Sequence, residues 1–129
     1  MTRVTKVLVV DDEPGILHST RLLLAELGFE VVTASEAGKV LPTLKAERPD
    51  ILLQDVRMPG LDIHDLLRSI RKDPEVGRTP VLLFSASMDL MNLQEQVGAA
   101  GFLEKPFQPE ELISAISHAI LTPAGAQTA

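Results

Sequence analysis

The chain has 129 residues, 45% of them hydrophobic, which suits one domain with a single buried core and leaves no room for a second. Its formal net charge is −6 and its basic residues form no run, so direct binding to nucleic acid or to an anionic membrane is not expected. Cysteine is absent, which excludes disulfides, thiolate metal sites and thiol nucleophiles. The N-terminus lacks the apolar core of a signal peptide, so a cytoplasmic location is expected.

The first part of the chain alternates short apolar runs with a longer segment of helical spacing. Lys6 to Val10 is a continuous run of β-branched residues and Leu, typical of a strand covered on both faces. Pro14 suits the first turn of a helix, and Gly28 suits its end. Glu30 to Ala34 predicts a second strand.

The segment 35–47 predicts a second helix, but Pro42 cannot donate a hydrogen bond within it. Either this helix is kinked, or it begins late enough to place Pro42 in its first turn. Ile51 to Asp55 predicts a third strand, and Met58-Pro-Gly60 breaks the chain after it.

The second half continues the alternation. A third helix is predicted from its buried stripe, and Val81 to Phe84 predicts a fourth strand that ends at Ser85. A weak helix at 90–97, a short strand around Phe102 and a last helix opening at Pro109 follow. The stripe of the third helix consists of Leu66, Leu67 and Ile70.

Five strands alternating with five helices predict an α/β fold, a doubly wound parallel sheet with right-handed crossovers. The domain is expected to span residues 1–121, with 122–129 a disordered tail or the start of a linker. Because parallel strands end at one edge of the sheet, residues that follow different strands can share a pocket. Charged residues follow three strands, which predicts a pocket of several carboxylates and one ammonium: Asp11, Asp12, Glu13, Asp55 and Lys105.

Four motifs in this order resemble the receiver domain of bacterial two-component response regulators. The resemblance implies a flavodoxin-like (βα)5 sheet with strand order 2-1-3-4-5. It also implies a signalling switch rather than an enzyme, which receives a phosphoryl group from a histidine kinase or a histidine phosphotransfer protein. The motifs are Val-Val-Asp11-Asp12-Glu13, Asp55-Val-Arg-Met-Pro-Gly60, Phe84-Ser85-Ala86 and Phe102-Leu-Glu-Lys105-Pro106-Phe107.

The resemblance makes Asp55 the phosphoacceptor, since a carboxylate can attack phosphorus and form an acyl phosphate. An incoming phosphate would be repelled by neighbouring carboxylates unless a divalent cation intervened, and Mg²⁺ prefers such oxygen ligands. The implied ligands are Asp12, Asp55 and the backbone carbonyl of Arg57, with Asp11 acting directly or through water.

Other residues are implied to bind the phosphoryl group and to transmit its presence. Ser85, Ala86 and Lys105 would contact phosphoryl oxygens. Ser85 and Phe102 would form the switch, which changes the face of the fourth helix, fifth strand and fifth helix toward an unknown downstream protein. The bond between Lys105 and Pro106 is expected to be cis.

Simpler interpretations of the same residues remain open. The acidic residues at 11–13 could cap the first helix, Asp55 could form a turn, and Lys105 could be a solvated surface charge. Two other functions also remain: a small Mg²⁺-dependent phosphohydrolase, and an interaction module that has kept the fold but lost the switch.

Some positions depart from the family pattern. The 20-residue separation of Ser85 and Lys105 is short, and the shortage is expected within 87–92, before or at the start of the fourth helix. Phe102 lacks the hydroxyl of the more familiar Tyr. Gln54 points to the opposite face from Asp55 and would need a buried hydrogen-bond partner.

Overall fold

The computed structural model describes residues 4–86 and 90–121, so the predicted tail and Ser87 to Asp89 lie outside the described residues. Within these ranges every helix is too short or too polar to cross a lipid bilayer. The strands are β1 (Lys6–Val10), β2 (Glu30–Ala34), β3 (Ile51–Asp55), β4 (Val81–Ser85) and β5 (Gly101–Glu104). The helices are α1 (Pro14–Glu26), α2 (Val40–Glu47), α3 (Ile63–Lys72), α4 (Leu90–Val97) and α5 (Pro109–Leu121).

The five strands form one parallel sheet in the order β2-β1-β3-β4-β5, which confirms the predicted fold class and strand order. The central strands β1, β3 and β4 are buried almost throughout, as their continuous apolar runs predict. The register pairs Asp55 of β3 with Phe84 of β4, and Ser85 of β4 with Glu104 of β5. The last residues of these strands therefore lie at one edge.

Side chains of the central strands alternate between two cores. Helices α2, α3 and α4 cover the face that carries Leu8, Leu52 and Leu83. Helices α1 and α5 cover the opposite face, which carries Val9, Leu53 and Phe84. By this alternation Asp55 shares the face of Leu53 and Phe84, and Gln54 lies on the other.

Helix α2 resolves the question posed by Pro42. A short 3₁₀ turn at Ala37–Lys39 precedes the helix, which begins at Val40 and so places Pro42 in its first turn. Backbone N–H groups in the first turn have no partner within the helix, so proline costs no hydrogen bond there. The late-start alternative is confirmed.

Candidate functional site

Three carboxylates converge at the C-terminal edge of the sheet. Asp11 and Asp12 follow β1, and Asp55 is the last residue of β3. Each of the three offers a carboxylate oxygen, and these oxygens all lie within 4.8 Å of one another. Asp11 and Asp55 are buried and Asp12 is half-buried. The predicted pocket is present for these three carboxylates, whereas Glu13, which was also expected in it, is exposed and is not part of the cluster.

Lys105 brings a positive charge into this cluster from the segment after β5. Its Nζ lies 2.8 Å from Asp11 Oδ2 and 3.7 Å from Asp55 Oδ1. Its side chain is only 12% exposed, and Nζ also lies 4.5 Å from the centroid of the Phe84 ring. The interpretation of Lys105 as a solvated surface charge is therefore wrong.

The helix-cap interpretation of the acidic residues is wrong for the side chain of Glu13. Glu13 is the N-cap residue of α1, but its side chain makes no capping hydrogen bond. Asp11 Oδ1 accepts a hydrogen bond of 2.9 Å from the Glu13 backbone N–H, while its second oxygen faces Lys105. Asp11 thus links the start of α1 to the ammonium group.

Burial raises the pKa of Asp55 to about 6, and the negative charges of Asp11 and Asp12 add to that increase. The ammonium of Lys105 and the Arg57 backbone N–H, 3.4 Å from Asp55 Oδ1, oppose it. A carboxylate with a raised pKa is one whose ionised form is poorly compensated. This imbalance is what a bound cation would relieve.

The donor set fits a hard divalent cation. Asp11, Asp12 and Asp55 offer oxygen atoms alone, which Mg²⁺ prefers to nitrogen or sulfur ligands. The carbonyl of Arg57 as a further ligand stays a prediction.

The other predicted site residues lie on β4, on β5 and in the segments that follow these strands. Ser85 is buried at the end of β4, and Ala86 after it is exposed. Phe102 is half-buried and packs against the core on the α2–α4 face. The peptide bond between Lys105 and Pro106 is cis. The shortened segment at 87–92 lies partly outside the described residues.

Gln54 has a partner for its amide nitrogen. Nε2 donates to the Asp55 backbone carbonyl at 2.8 Å and lies 3.5 Å from the sulfur of Met58. Among the described residues, its Oε1 is the buried side-chain polar atom with no hydrogen-bond partner. The predicted need for a buried partner is therefore met on one side of the amide.

Sequence reasoning assigned no role to the aromatic rings beneath Lys105. Phe84 is fully buried, and Phe107 packs edge-on against it with ring centroids 6.5 Å apart and an interplanar angle of 62°. The available signal was the position of Phe84 directly before Ser85 at the end of a strand. That signal is weak, because an aromatic residue there is equally expected in a core.

Similarity to known proteins agrees with this geometry. The model of the response regulator receiver domain matches residues 7–117. The probable transcriptional regulator ycf27 of Guillardia theta is 37% identical over 109 residues, and the transcriptional regulatory protein CseB of Streptomyces coelicolor is 38% identical over 114. These matches cover 83% and 87% of this chain but 42% and 47% of the relatives. The chain thus spans about half the length of the curated relatives that it matches.

Two solved structures share the fold over most of both chains. Chemotaxis protein CheY4 of Vibrio cholerae superposes with a TM-score of 0.82 at 29% identity, covering 91% of this chain and 99% of that chain. The receiver domain of a sensor histidine kinase from Pseudomonas aeruginosa, solved with a magnesium ion coordinated in its active site cleft, gives 0.81 at 26% identity and covers 92% and 98%. The chain belongs to the response regulator receiver domain family, the signalling domains of two-component systems.

Proposed function

We propose that this domain is a phosphorylation switch in which Asp55 accepts a phosphoryl group from a histidine kinase or a histidine phosphotransfer protein. The observation that carries the proposal is the meeting of the buried Asp55 carboxylate with two other carboxylates and the Lys105 ammonium. An Asp55 oxygen forms a bond to phosphorus while the bond between phosphorus and the donor imidazole nitrogen breaks. The leaving imidazole then takes up a proton.

Asp11, Asp12 and Asp55 would hold Mg²⁺ together with the Arg57 carbonyl. When bound, the cation neutralises charge on the carboxylates and on the phosphoryl oxygens. The clustering of the carboxylate oxygens and the raised pKa of Asp55 support this assignment.

Lys105 and Ser85 would bind the transferred group. The Lys105 ammonium already lies 3.7 Å from an Asp55 oxygen, so a modest movement brings it to a phosphoryl oxygen. The Ser85 hydroxyl and the backbone N–H of Ala86 would donate to other phosphoryl oxygens from the end of β4. A positive charge and hydrogen-bond donors directed at these oxygens stabilise the charge that develops on them during the transfer.

The signal would pass from Ser85 to Phe102. Movement of the Ser85 hydroxyl toward the phosphoryl group leaves space that the half-buried Phe102 ring can fill, which favours one of two packings. Phe102 has no hydroxyl, so apolar burial drives this step. The face of α4, β5 and α5 would then differ toward a downstream protein.

A groove beside the site supports docking of a protein donor. It has a volume of about 400 Å³ and lies between α1 and the segment after β5. Its walls are mainly apolar and include Ile16, Leu23, Pro106 and Phe107, with Lys105 at the edge. The donor histidine would then approach Asp55 from this side.

The downstream function of a protein that contains this domain depends on regions outside the domain. One relative, from Mycolicibacterium smegmatis, is named a DNA-binding response regulator, and 48% of it is matched. Any DNA contact of a protein containing this chain would come from an effector region. The receiver itself, proposed as residues 1–121, carries too much negative charge for that role.

The decisive experiment is intact-mass analysis after incubation with acetyl phosphate and Mg²⁺. Wild type should gain one phosphoryl group that hydroxylamine removes, since hydroxylamine cleaves acyl phosphates. Asp55→Asn should gain none, whereas Asp65→Asn, a change at an exposed aspartate of α3, should behave like wild type. Asp12→Asn should lose most of the Mg²⁺-dependent reaction. Modification of Asp55→Asn at the wild-type rate would refute the proposal.

The same preparation distinguishes the other two functions. A phosphohydrolase would turn over an added phosphoester many times per protein molecule. An interaction module without a switch would bind its partner equally well before and after phosphorylation. Its Asp55→Asn variant would bind the partner as tightly as wild type does.

A further inference from the structure

We propose that Phe84 is a positioning residue, whose ring face holds the Lys105 ammonium beside Asp55. This inference rests on the proposed function, because it assigns Phe84 a role in phosphoryl transfer to Asp55. It concerns a residue to which neither the motifs nor the family similarity gives a part in the reaction.

The sheet register places the Phe84 ring next to the phosphoacceptor. Asp55 and Phe84 are paired across β3 and β4, so their side chains project from the same face of the sheet. The Lys105 Nζ lies 4.5 Å from the ring centroid, within the distance at which a cation is attracted to the negative face of an aromatic ring. Phe84 has no exposed surface, which strengthens that attraction.

Phe107 fixes the orientation of the ring. Its edge-on contact with Phe84 is an arrangement that aromatic pairs prefer, because the positive edge of one ring meets the negative face of the other. Phe107 also follows Lys105 by two residues, in the same segment after β5. Movement of this segment is therefore coupled to the ring on which the ammonium lies.

The ring differs from the other partners of Lys105 in one respect that matters for the reaction. Asp11 and Asp55, 2.8 Å and 3.7 Å from Nζ, belong to the cluster that fits a divalent cation. A cation on these carboxylates weakens their attraction for Lys105. The neutral ring of Phe84 neither titrates nor binds Mg²⁺, so its attraction persists. Phe84 thus keeps the ammonium at the site when a phosphoryl group arrives.

Fluorinated phenylalanines at position 84 test this role with little change of shape. Fluorine atoms withdraw electron density from the ring face and weaken its attraction for a cation. We expect the rate of phosphorylation by acetyl phosphate, at saturating Mg²⁺, to fall in steps as one, two and three fluorines are added. The trifluoro ring should lower the rate about tenfold.

A second readout needs neither metal nor phosphate. Ring currents shift protons above an aromatic face upfield, so the ε-methylene protons of Lys105 should resonate upfield in the metal-free wild type. Phe84→Leu should remove that shift and slow phosphorylation. Leu82→Ala is the matched control, because it opens a cavity at another fully buried position of β4 on the same face. It should lower stability yet leave both the shift and the rate per folded molecule unchanged.

The outcomes separate this inference from the proposed function. Equal rates across the fluorinated series, with Asp55→Asn still unreactive, would overturn the role of Phe84 and leave the phosphoacceptor assignment intact. Equal slowing by Leu82→Ala would show that Phe84 acts through packing alone and would also overturn the role. A wild-type protein that takes no phosphoryl group would overturn both.

Discussion

Lys105 and Asp11 form an ion pair between the ends of β5 and β1, with 2.8 Å between Nζ and Oδ2 and 94 positions between them in sequence. Asp11 is fully buried, so solvent screens this pair weakly. The lysine therefore neutralises in part the cluster in which a divalent cation would bind. Lysine and cation contend for the same carboxylate.

Lys105→Met should consequently destabilise the metal-free protein and strengthen metal binding. Without the ammonium, Asp11 and Asp55 are left as uncompensated buried charges, and we expect a loss of about 2–4 kcal/mol in the free energy of unfolding. Mg²⁺ should bind on the order of tenfold more tightly because a nearby positive charge is gone. Urea unfolding in EDTA and calorimetric titration with Mg²⁺ measure the two effects. Lys39→Met, at an exposed position, is the control with the same change in net charge; an equal gain in affinity there would contradict the prediction.

Asp55→Asn should stabilise the metal-free protein at neutral pH. The pKa of Asp55 is about 6 in the folded chain and about 3.9 in the unfolded chain, so folding takes up a proton between these values. Its contribution to stability is present below about pH 4 and is lost as the pH rises through 6. After allowance for solvent screening, Asp55→Asn should gain about 1–2 kcal/mol at pH 7.5 relative to wild type.

Urea unfolding in EDTA at pH 7.5 and pH 4.5 checks that dependence on pH. The difference between Asp55→Asn and wild type should shrink toward the lower pH. Asp65→Asn should show no comparable change between the two conditions. A stabilisation of equal size at both pH values would mean that the charge of Asp55 is not its cause.

Arg48 ends α2 in a left-handed conformation, with φ of 49°. This conformation strains residues that carry a Cβ atom. Arg48→Gly and Arg48→Ala both remove the exposed ion pair with Glu75. The difference in stability between the two variants therefore measures the cost of placing a Cβ atom in the left-handed conformation. The glycine variant should be more stable than the alanine variant by about 0.5–1 kcal/mol in chemical unfolding, despite its greater freedom when unfolded. The reverse order would contradict the argument.

Gly77 lies in the loop before β4, where no side chain fits. A Cβ atom there would come within 2.6 Å of the Asp73 carbonyl oxygen and 3.0 Å of the Arg71 carbonyl oxygen. Gly77→Ala should therefore cost about 2 kcal/mol or more, since backbone must move. Gly38→Ala, which meets nothing within 4 Å, should change stability by less than about 1 kcal/mol. Thermal unfolding of the two variants measures the contrast, and equal melting temperatures would refute it.

Much of the fold could be predicted because its signals are local. The apolar run at Lys6–Val10 matches β1 residue for residue, and the run at Ile51–Asp55 matches β3 in the same way. Pro42 was compatible with a kinked helix over 35–47 and with a helix that begins later. Its missing N–H does not decide whether residues 35–39 belong to the helix. In the structure a separate 3₁₀ turn occupies Ala37–Lys39, and Val40, the first residue of α2, is fully buried.

The site could be predicted in part. Asp11, Asp12, Asp55 and Lys105 were expected at one edge because they follow strands of one parallel sheet, and they are found there. The hydrogen-bond partner of Gln54 could not be predicted from the sequence, because the pairing of its amide with the Asp55 carbonyl depends on side-chain torsions.

By itself, the order of apolar runs and charged strand ends determined the class of fold and the small set of residues that meet at the sheet edge, and the resemblance of four motifs to the receiver domain indicated the family. The tertiary structure alone decided which of them touch: that Lys105 pairs with Asp11, that its ammonium lies over Phe84, and that the pKa of Asp55 rises to about 6. Hydrophobic periodicity follows from nearest neighbours along the chain and can be read locally. Contacts, burial and electrostatic coupling depend on distances between residues far apart in sequence, and only the folded chain sets those distances.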